Sequence, residues 1–193
     1  MNLTSYLEKG YSYPDYLKKI EDQLFDLNQL GDENGMAKYY SMNLKRIDRL
    51  NKTFELTEQQ KEQLKSIVPD FKLLVISEGW CGDAAQSMPI VNVIMQELGV
   101  EQKIVLRDEN PELMNAYLTD GAKSIPMFIG VNAEGKEVFH FGPRPAAGME
   151  MLVKHKENPE IYTADEFHKD LQVWYNQDKG ESTFKELLAV IPS

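Results

Sequence analysis

The chain has a single cysteine, Cys81, among its 193 residues. One cysteine excludes a disulfide within the chain and excludes zinc sites built from several cysteines. The three histidines, His140, His155 and His168, lack the spacing of metal ligands, and we expect ordinary surface or half-buried roles for them. The sequence therefore predicts neither a bound metal nor a cofactor.

Basic residues are scarce compared with acidic ones. The chain has 21 Lys and Arg against 31 Asp and Glu, which gives a formal net charge of −10 at pH 7. Nucleic acids and anionic membranes bind clustered Lys and Arg, and the sequence has no basic stripe with interleaved aromatic residues. Long apolar runs and the pattern of a signal peptide are also missing. We expect a cytoplasmic protein, where a free thiol stays reduced, that binds neither nucleic acid nor membrane.

The pattern of apolar residues changes near residue 70. Before that point it has helical spacing, as in Tyr16, Ile20, Leu24 and Leu27. After it, strand patterns over 73–77 and 103–107 alternate with helical patterns over 84–98 and 111–118. A hairpin pattern follows over 127–131 and 137–141, and further helices over 146–155, 165–176 and 184–190. Strand–helix–strand implies a parallel pair and the hairpin adds antiparallel strands, so we predict an α/β fold with a mixed sheet covered by helices.

The cysteine lies where the first strand pattern gives way to a helical one, in the segment Glu78-Gly-Trp-Cys-Gly-Asp83. The free N–H groups and partial positive charge of a helix start favour a thiolate over a thiol. The position therefore indicates a reactive cysteine. A redox Cys-x-x-Cys motif would have its second cysteine at position 84, and this chain has Ala84 there.

Several features in this order resemble the thioredoxin family. Trp80-Cys-Gly-Asp-Ala84 is similar to the family's Trp-Cys-Gly-x-Cys, and Pro89 stands where the family has a proline in the active-site helix. Ser124-Ile125-Pro126 resembles the family's cis-proline loop, at the family's spacing from the cysteine. The resemblance implies a three-layer α/β/α core over residues 71–155. Residues 1–70 would then be a helical N-terminal extension, and residues 156–193 a C-terminal helical extension packed on the core.

Two departures from the family pattern bear on function. Ala84 replaces the resolving cysteine, and Val75 stands where many members bury an aspartate. The resemblance then implies monothiol thiol–disulfide exchange, with Cys81 as nucleophile, an external thiol as resolving group, and protein or low-molecular-weight disulfides and thiols as partners. A redox-inactive module that binds a protein or peptide partner is the alternative. The sequence also leaves open whether Ala84 is natural or was introduced to trap an intermediate.

The residues next to the cysteine complete the predicted catalytic segment, which is Trp80, Cys81, Gly82 and Asp83. Trp80 would shield the thiol and face the substrate, or it would simply pack against the sheet edge. Asp83 would tune the thiol, although a neighbouring carboxylate raises a thiol pKa, or it would only favour the helix start.

Three residues far from the cysteine in the chain complete the predicted site. If the bond is cis, the backbone at Ile125 and Pro126 would pair with an extended substrate segment, as the resemblance implies. The alternative is an ordinary turn. Arg144, held between two prolines, would favour the thiolate or bind an anionic substrate group, or it would be a solvated loop residue.

Overall fold

The computed structural model describes residues 1–32 and 35–192. In that part of the chain helices come first and strands and helices then alternate, as the sequence predicts. The helices are α1 (Thr4–Lys9), α2 (Tyr13–Gln29), α3 (Met36–Thr53), α4 (Glu58–Leu64), α5 (Gly82–Glu97), α6 (Pro111–Ala116), α7 (Ala146–Glu157), α8 (Ala164–Asp178) and α9 (Glu181–Val190). The strands are β1 (Lys72–Ser77), β2 (Gln102–Leu106), β3 (Met127–Val131) and β4 (Glu137–Phe141).

The strands of the described residues form one mixed sheet in the order β2–β1–β3–β4. β1 runs parallel to β2, with Val75 opposite Ile104, and antiparallel to β3. β3 and β4 form the antiparallel hairpin. The predicted thioredoxin-like α/β fold with a mixed central sheet is confirmed, and each strand begins and ends within one residue of its predicted bounds.

β1 lies inside the sheet, between β2 and β3, and is almost completely buried. Leu73, Leu74, Val75 and Ile76 are all fully buried, although successive side chains of a strand point to opposite faces of the sheet. Helices must therefore cover both faces around β1, which is the three-layer arrangement. At the end of β1 the chain turns directly into α5, and this turn carries the cysteine.

The N-terminal helices share the core of the sheet. Tyr16 and Ile20 of α2 are buried among the strand residues, and the Tyr16 hydroxyl lies 2.9 Å from Ser77 Oγ at the end of β1. Before α2, the backbone of Tyr11 exchanges two hydrogen bonds of 2.8 Å with Ile104 of β2. Residues 1–32 are therefore tied to the sheet by both side chains and backbone.

The C-terminal helices pack in two places. α9 adds Phe184 and Leu187 to the main core, whereas α8 forms a smaller apolar cluster together with Tyr162. That smaller cluster consists of Tyr162, Phe167, Leu171 and Tyr175, with Met151, Leu152 and Trp174 packed against it. None of the helices in the described part of the chain has the length and apolarity that crossing a membrane requires.

We predict that α2 contributes to the stability of the whole fold. Ile20→Ala should lower the free energy of unfolding by about 2–5 kcal/mol, because it leaves a cavity in the shared core. Phe25→Ala on the same helix is the control, since Phe25 is exposed and its change should stay within about 0.5 kcal/mol. Urea unfolding measures both. Equal midpoints for Ile20→Ala and the unmodified protein would show that α2 folds apart from the sheet.

Candidate functional site

Cys81 is the N-cap residue of α5, so the predicted strand-to-helix location is found. Its Sγ accepts a hydrogen bond from the backbone N–H of Ala84 at 3.5 Å and donates one to the carbonyl oxygen of Ile125 at 3.3 Å. The residue is 7% exposed. The thiol therefore lies between the start of a helix and the carbonyl that precedes Pro126.

The turn that holds Cys81 is fixed by the N-terminal helix α3. The Cys81 N–H donates to the carbonyl of Glu78 at 3.1 Å, which closes the turn. Gly79 lies so close to Tyr40 of α3 that a Cβ at this position would clash with the ring. The carbonyl of Gly79 also accepts a hydrogen bond from Asn43 Nδ2 at 3.0 Å. Helix α3 thus positions the turn, and sequence reasoning assigned no function to residues of this helix.

The Cys81 thiol is held in its protonated form, contrary to the sequence-based expectation of a thiolate. Burial raises the pKa of Cys81 to about 12, and the negative charge of Asp83 adds to the rise. The N–H groups of Ala84 and Asp83 and the charge of Arg144 act in the opposite direction. The helix start therefore has the expected effect, but desolvation of the thiol outweighs it.

Asp83 anchors a buried polar cluster beside the thiol. Arg144 Nη2 donates to Asp83 Oδ2 at 2.6 Å, and the Tyr175 hydroxyl donates to Asp83 Oδ1 at 2.8 Å. The Arg144 side chain is only 13% exposed, so this arginine belongs to the site and not to a solvated loop. Tyr175 was missed because helical spacing places it on the apolar face of α8 without indicating which residue it meets.

The loop that contains Arg144 has a restricted backbone conformation. Gly142 has a φ of +133°, and a Cβ at this position would run into the carbonyl oxygen of Pro126. Glycine therefore lets the end of β4 lie directly against the Ile125–Pro126 segment. Both Ile125–Pro126 and Gly142–Pro143 are cis peptide bonds.

Trp80 lies half-buried beside the thiol with one ring face covered. The Arg107 guanidinium lies 4.5 Å from the centroid of the Trp80 ring, and Arg107 Nη1 donates to the carbonyl of Lys123 at 3.2 Å. This stacking links the cysteine turn to the loop before Ile125. Trp80 therefore has packing contacts and also faces the open space described next.

A cleft of about 580 Å³ opens onto Cys81. It brings together six of the seven predicted site residues, Trp80, Cys81, Gly82, Asp83, Ile125 and Arg144, whereas Pro126 is buried and is not among its lining residues. Helices α3 and α8 supply most of the other lining residues, namely Lys38, Tyr39, Met42, Asn43, Arg46, Asp165, Phe167, His168, Leu171, Gln172 and Tyr175. Within residues 1–32 and 35–192, no group of three or more His, Cys, Asp or Glu residues could hold a metal ion.

We predict that the Asp83 carboxylate raises the pKa of Cys81. Asp83→Asn should lower that pKa, because it removes a negative charge beside the thiol and keeps an amide oxygen that accepts hydrogen bonds. Asp165→Asn is the control, since Asp165 lines the same cleft without contributing to the Cys81 shift. The measurement is the pH dependence of alkylation by iodoacetamide, with near-UV circular dichroism to show that each variant is folded. Identical profiles for Asp83→Asn and the unmodified protein would refute the prediction.

Comparison with known proteins identifies the fold and the family. The model of the thioredoxin family matches residues 31–165. Two solved structures match with TM-scores of 0.65: a protein of unknown function from Pseudomonas aeruginosa, 15% identical, covering 99% of this chain and 97% of that one, and an HIV epitope-scaffold, 16% identical, covering 99% and 98%. At these identities they establish the fold alone, and no curated protein matches. Since the family match covers more than half of the chain, the protein belongs to the thioredoxin family.

Proposed function

We propose that this protein carries out monothiol thiol–disulfide exchange at Cys81. The observation that carries the proposal is the position of Sγ, which lines the cleft 3.3 Å from the Ile125 carbonyl and at the N-cap of α5. A disulfide that enters the cleft would meet the sulfur, and the N–H groups of Ala84 and Asp83 would stabilise the thiolate as attacking and as leaving group.

The exchange has two steps that balance without any further oxidant or reductant. Cys81 loses its proton to solvent, attacks one sulfur of a disulfide, and releases the other sulfur as a thiol. Because Ala84 cannot resolve the mixed disulfide, an external thiol attacks the sulfur of the bound group, forms a new disulfide with that group, and releases Cys81, which takes up a proton. The partners would be protein or low-molecular-weight disulfides and thiols, and a cytoplasmic setting would keep Cys81 reduced.

Burial of the Cys81 thiol lowers the rate of this reaction. With a pKa of about 12, roughly one thiol in 10⁵ is ionised at pH 7. A thiolate of higher pKa is a better nucleophile, with a Brønsted slope of about 0.4–0.5. Together these two effects make Cys81 attack a disulfide roughly 100-fold more slowly than a free cysteine with a pKa of about 8.5 does. Exchange at a useful rate therefore requires that a bound substrate changes the surroundings of Cys81.

The buried position of the Cys81 sulfur also favours a second candidate function, that of a redox-inactive binding module. A thiol that is buried, protonated and donating to Ile125 acts like any other small polar side chain in the floor of a cleft. In this alternative the cleft between α3 and α8 holds a protein or peptide partner, and Cys81 only stabilises the loop that contains Ile125.

We predict a steep pH dependence for the reaction of Cys81 with dithiodipyridine. The rate should rise about tenfold for each pH unit between pH 7 and pH 9, because a pKa raised above that of free cysteine keeps the thiolate fraction growing throughout this range. A free cysteine would level off near its pKa of about 8.5. The absorbance of the released thiopyridone measures the rate.

Two controls decide between exchange and binding. Cys81→Ser should abolish the reaction, and added mercaptoethanol should return the mixed disulfide of the unmodified protein to free Cys81, as mass spectrometry would show. If the folded protein forms no mixed disulfide even at pH 9, the exchange proposal is wrong and the binding module takes its place.

A further inference from the structure

The cleft is basic although the chain as a whole is acidic. Its lining includes five Lys and Arg side chains but only two carboxylates, Asp83 and Asp165, in a protein of formal net charge −10. The five are Lys38, Arg46, Arg107, Lys123 and Arg144. A positive site in a negative protein attracts anionic ligands to that one place.

Arg46 is a cation of this set that lies next to the turn carrying the thiol and has no carboxylate bonded to it among the described residues. Its Nη1 donates to Asn43 Oδ1 at 3.0 Å, a neutral acceptor, and Arg46 forms no ion pair within residues 1–32 and 35–192. The same Nη1 lies 3.4 Å from the place of a Cβ on Gly82, the residue that follows Cys81. Burial and the positive charge of Arg49 lower the pKa of Arg46, while the negative charge of Asp83 acts in the opposite direction, as expected for a cation that is half removed from water.

Arg144 lines the same cleft, but its charge is already paired with Asp83. It gives Nη2 to Asp83, while its Nε and Nη1 are buried and have no hydrogen-bond partner in the described residues. A guanidinium has five N–H donors and no acceptor. Because Nε and Nη1 are shielded from solvent, a ligand in the cleft does not reach them, and Arg46 is the arginine of the cleft lining that has no ion pair in the described residues.

The walls of the cleft limit the size of its occupant. Helix α3 stands on one side and α8 on another, and Arg49 of α3 donates to Asn176 of α8 at 3.2 Å. The cleft volume of about 580 Å³ is in the range of pockets for small molecules, roughly 300–1,000 Å³. Apolar side chains, Met42, Trp80, Phe167 and Leu171, line the space between the charges. A small ligand with apolar parts fits this space better than the surface of a folded protein.

We propose that the cleft binds a small thiol or disulfide that carries carboxylate groups, with Arg46 as the residue that receives a carboxylate beside Cys81. A planar guanidinium pairs with a carboxylate through two parallel hydrogen bonds. The sulfur part of this assignment rests on the proposed exchange, whereas the carboxylate part rests on the charges of the cleft. Arg46 is thus a specificity-determining residue, and it belongs to α3, which precedes the first strand of the sheet.

The test compares two disulfides of different charge. Dithiobis(nitrobenzoate) carries two carboxylates and dithiodipyridine carries none, and the rate of Cys81 modification by each is measured for the unmodified protein and for Arg46→Gln. We expect Arg46→Gln to slow the dicarboxylate about tenfold and the neutral disulfide by less than about twofold. Any effect of Arg46 on the ionisation of Cys81 would slow both equally, so the ratio of the two rates isolates recognition of the carboxylate.

Lys45→Gln is the matched control, because Lys45 is an exposed cation next to Arg46 on α3 and does not line the cleft. Its removal should change both rates by less than about twofold. Equal slowing of both disulfides by Arg46→Gln would overturn the inference and leave exchange standing. Equal slowing of the dicarboxylate by Lys45→Gln and Arg46→Gln would also overturn it, because the long-range field of the protein would then explain the preference.

A binding measurement separates failure of this inference from failure of exchange. In Cys81→Ser, dithiobis(nitrobenzoate) should still quench tryptophan fluorescence on binding, and adding Arg46→Gln should weaken that binding about tenfold. If no disulfide modifies the unmodified protein but this binding is found, the anionic site stands and exchange fails. If Cys81→Ser does not bind the dicarboxylate, the inference is wrong.

Discussion

The buried carboxylate of Asp83 is the interaction on which the rest of the site depends. It binds Arg144 from the loop after β4 and Tyr175 from α8, so that one residue in the first turn of α5 joins three parts of the chain. Because a buried charge must be paired, this contact holds α8 over the cysteine turn. The same charge contributes to the raised pKa of Cys81, so Asp83 both holds α8 in place and favours the protonated thiol.

The buried thiol and the basic lining of the cleft favour different chemistry. A buried sulfur that donates to Ile125 is poorly suited to attack, whereas the basic lining attracts anions. An anion that binds near Arg46 would approach Cys81 with its own negative charge, which by itself would raise the pKa of the thiol further. For exchange to proceed, the gain from holding the disulfide against the sulfur must therefore exceed this electrostatic cost.

Much of the fold could be predicted because each strand carries its own local signal. The apolar run Leu73–Ile76, which lies within β1, and the hairpin of β3 and β4 have patterns that a few consecutive residues define. The position of Cys81 at a helix start could be predicted for the same reason. The contribution of α3 could not, because Asn43, Arg46 and Tyr40 show only helical spacing, and nothing in that spacing indicates that they meet the turn at Gly79 and Gly82.

The sequence by itself determined the order of helices and strands, the family resemblance carried by Trp80 to Ala84 and Ile125-Pro126, and the lack of an internal resolving thiol. These are properties of residue identity and of short-range spacing. Only the tertiary structure decided the protonation of Cys81, the burial of Arg144 and the positive charge of the cleft. Each of these depends on which distant groups come together and on how much water they exclude, and desolvation and Coulomb energies are set by that arrangement in space.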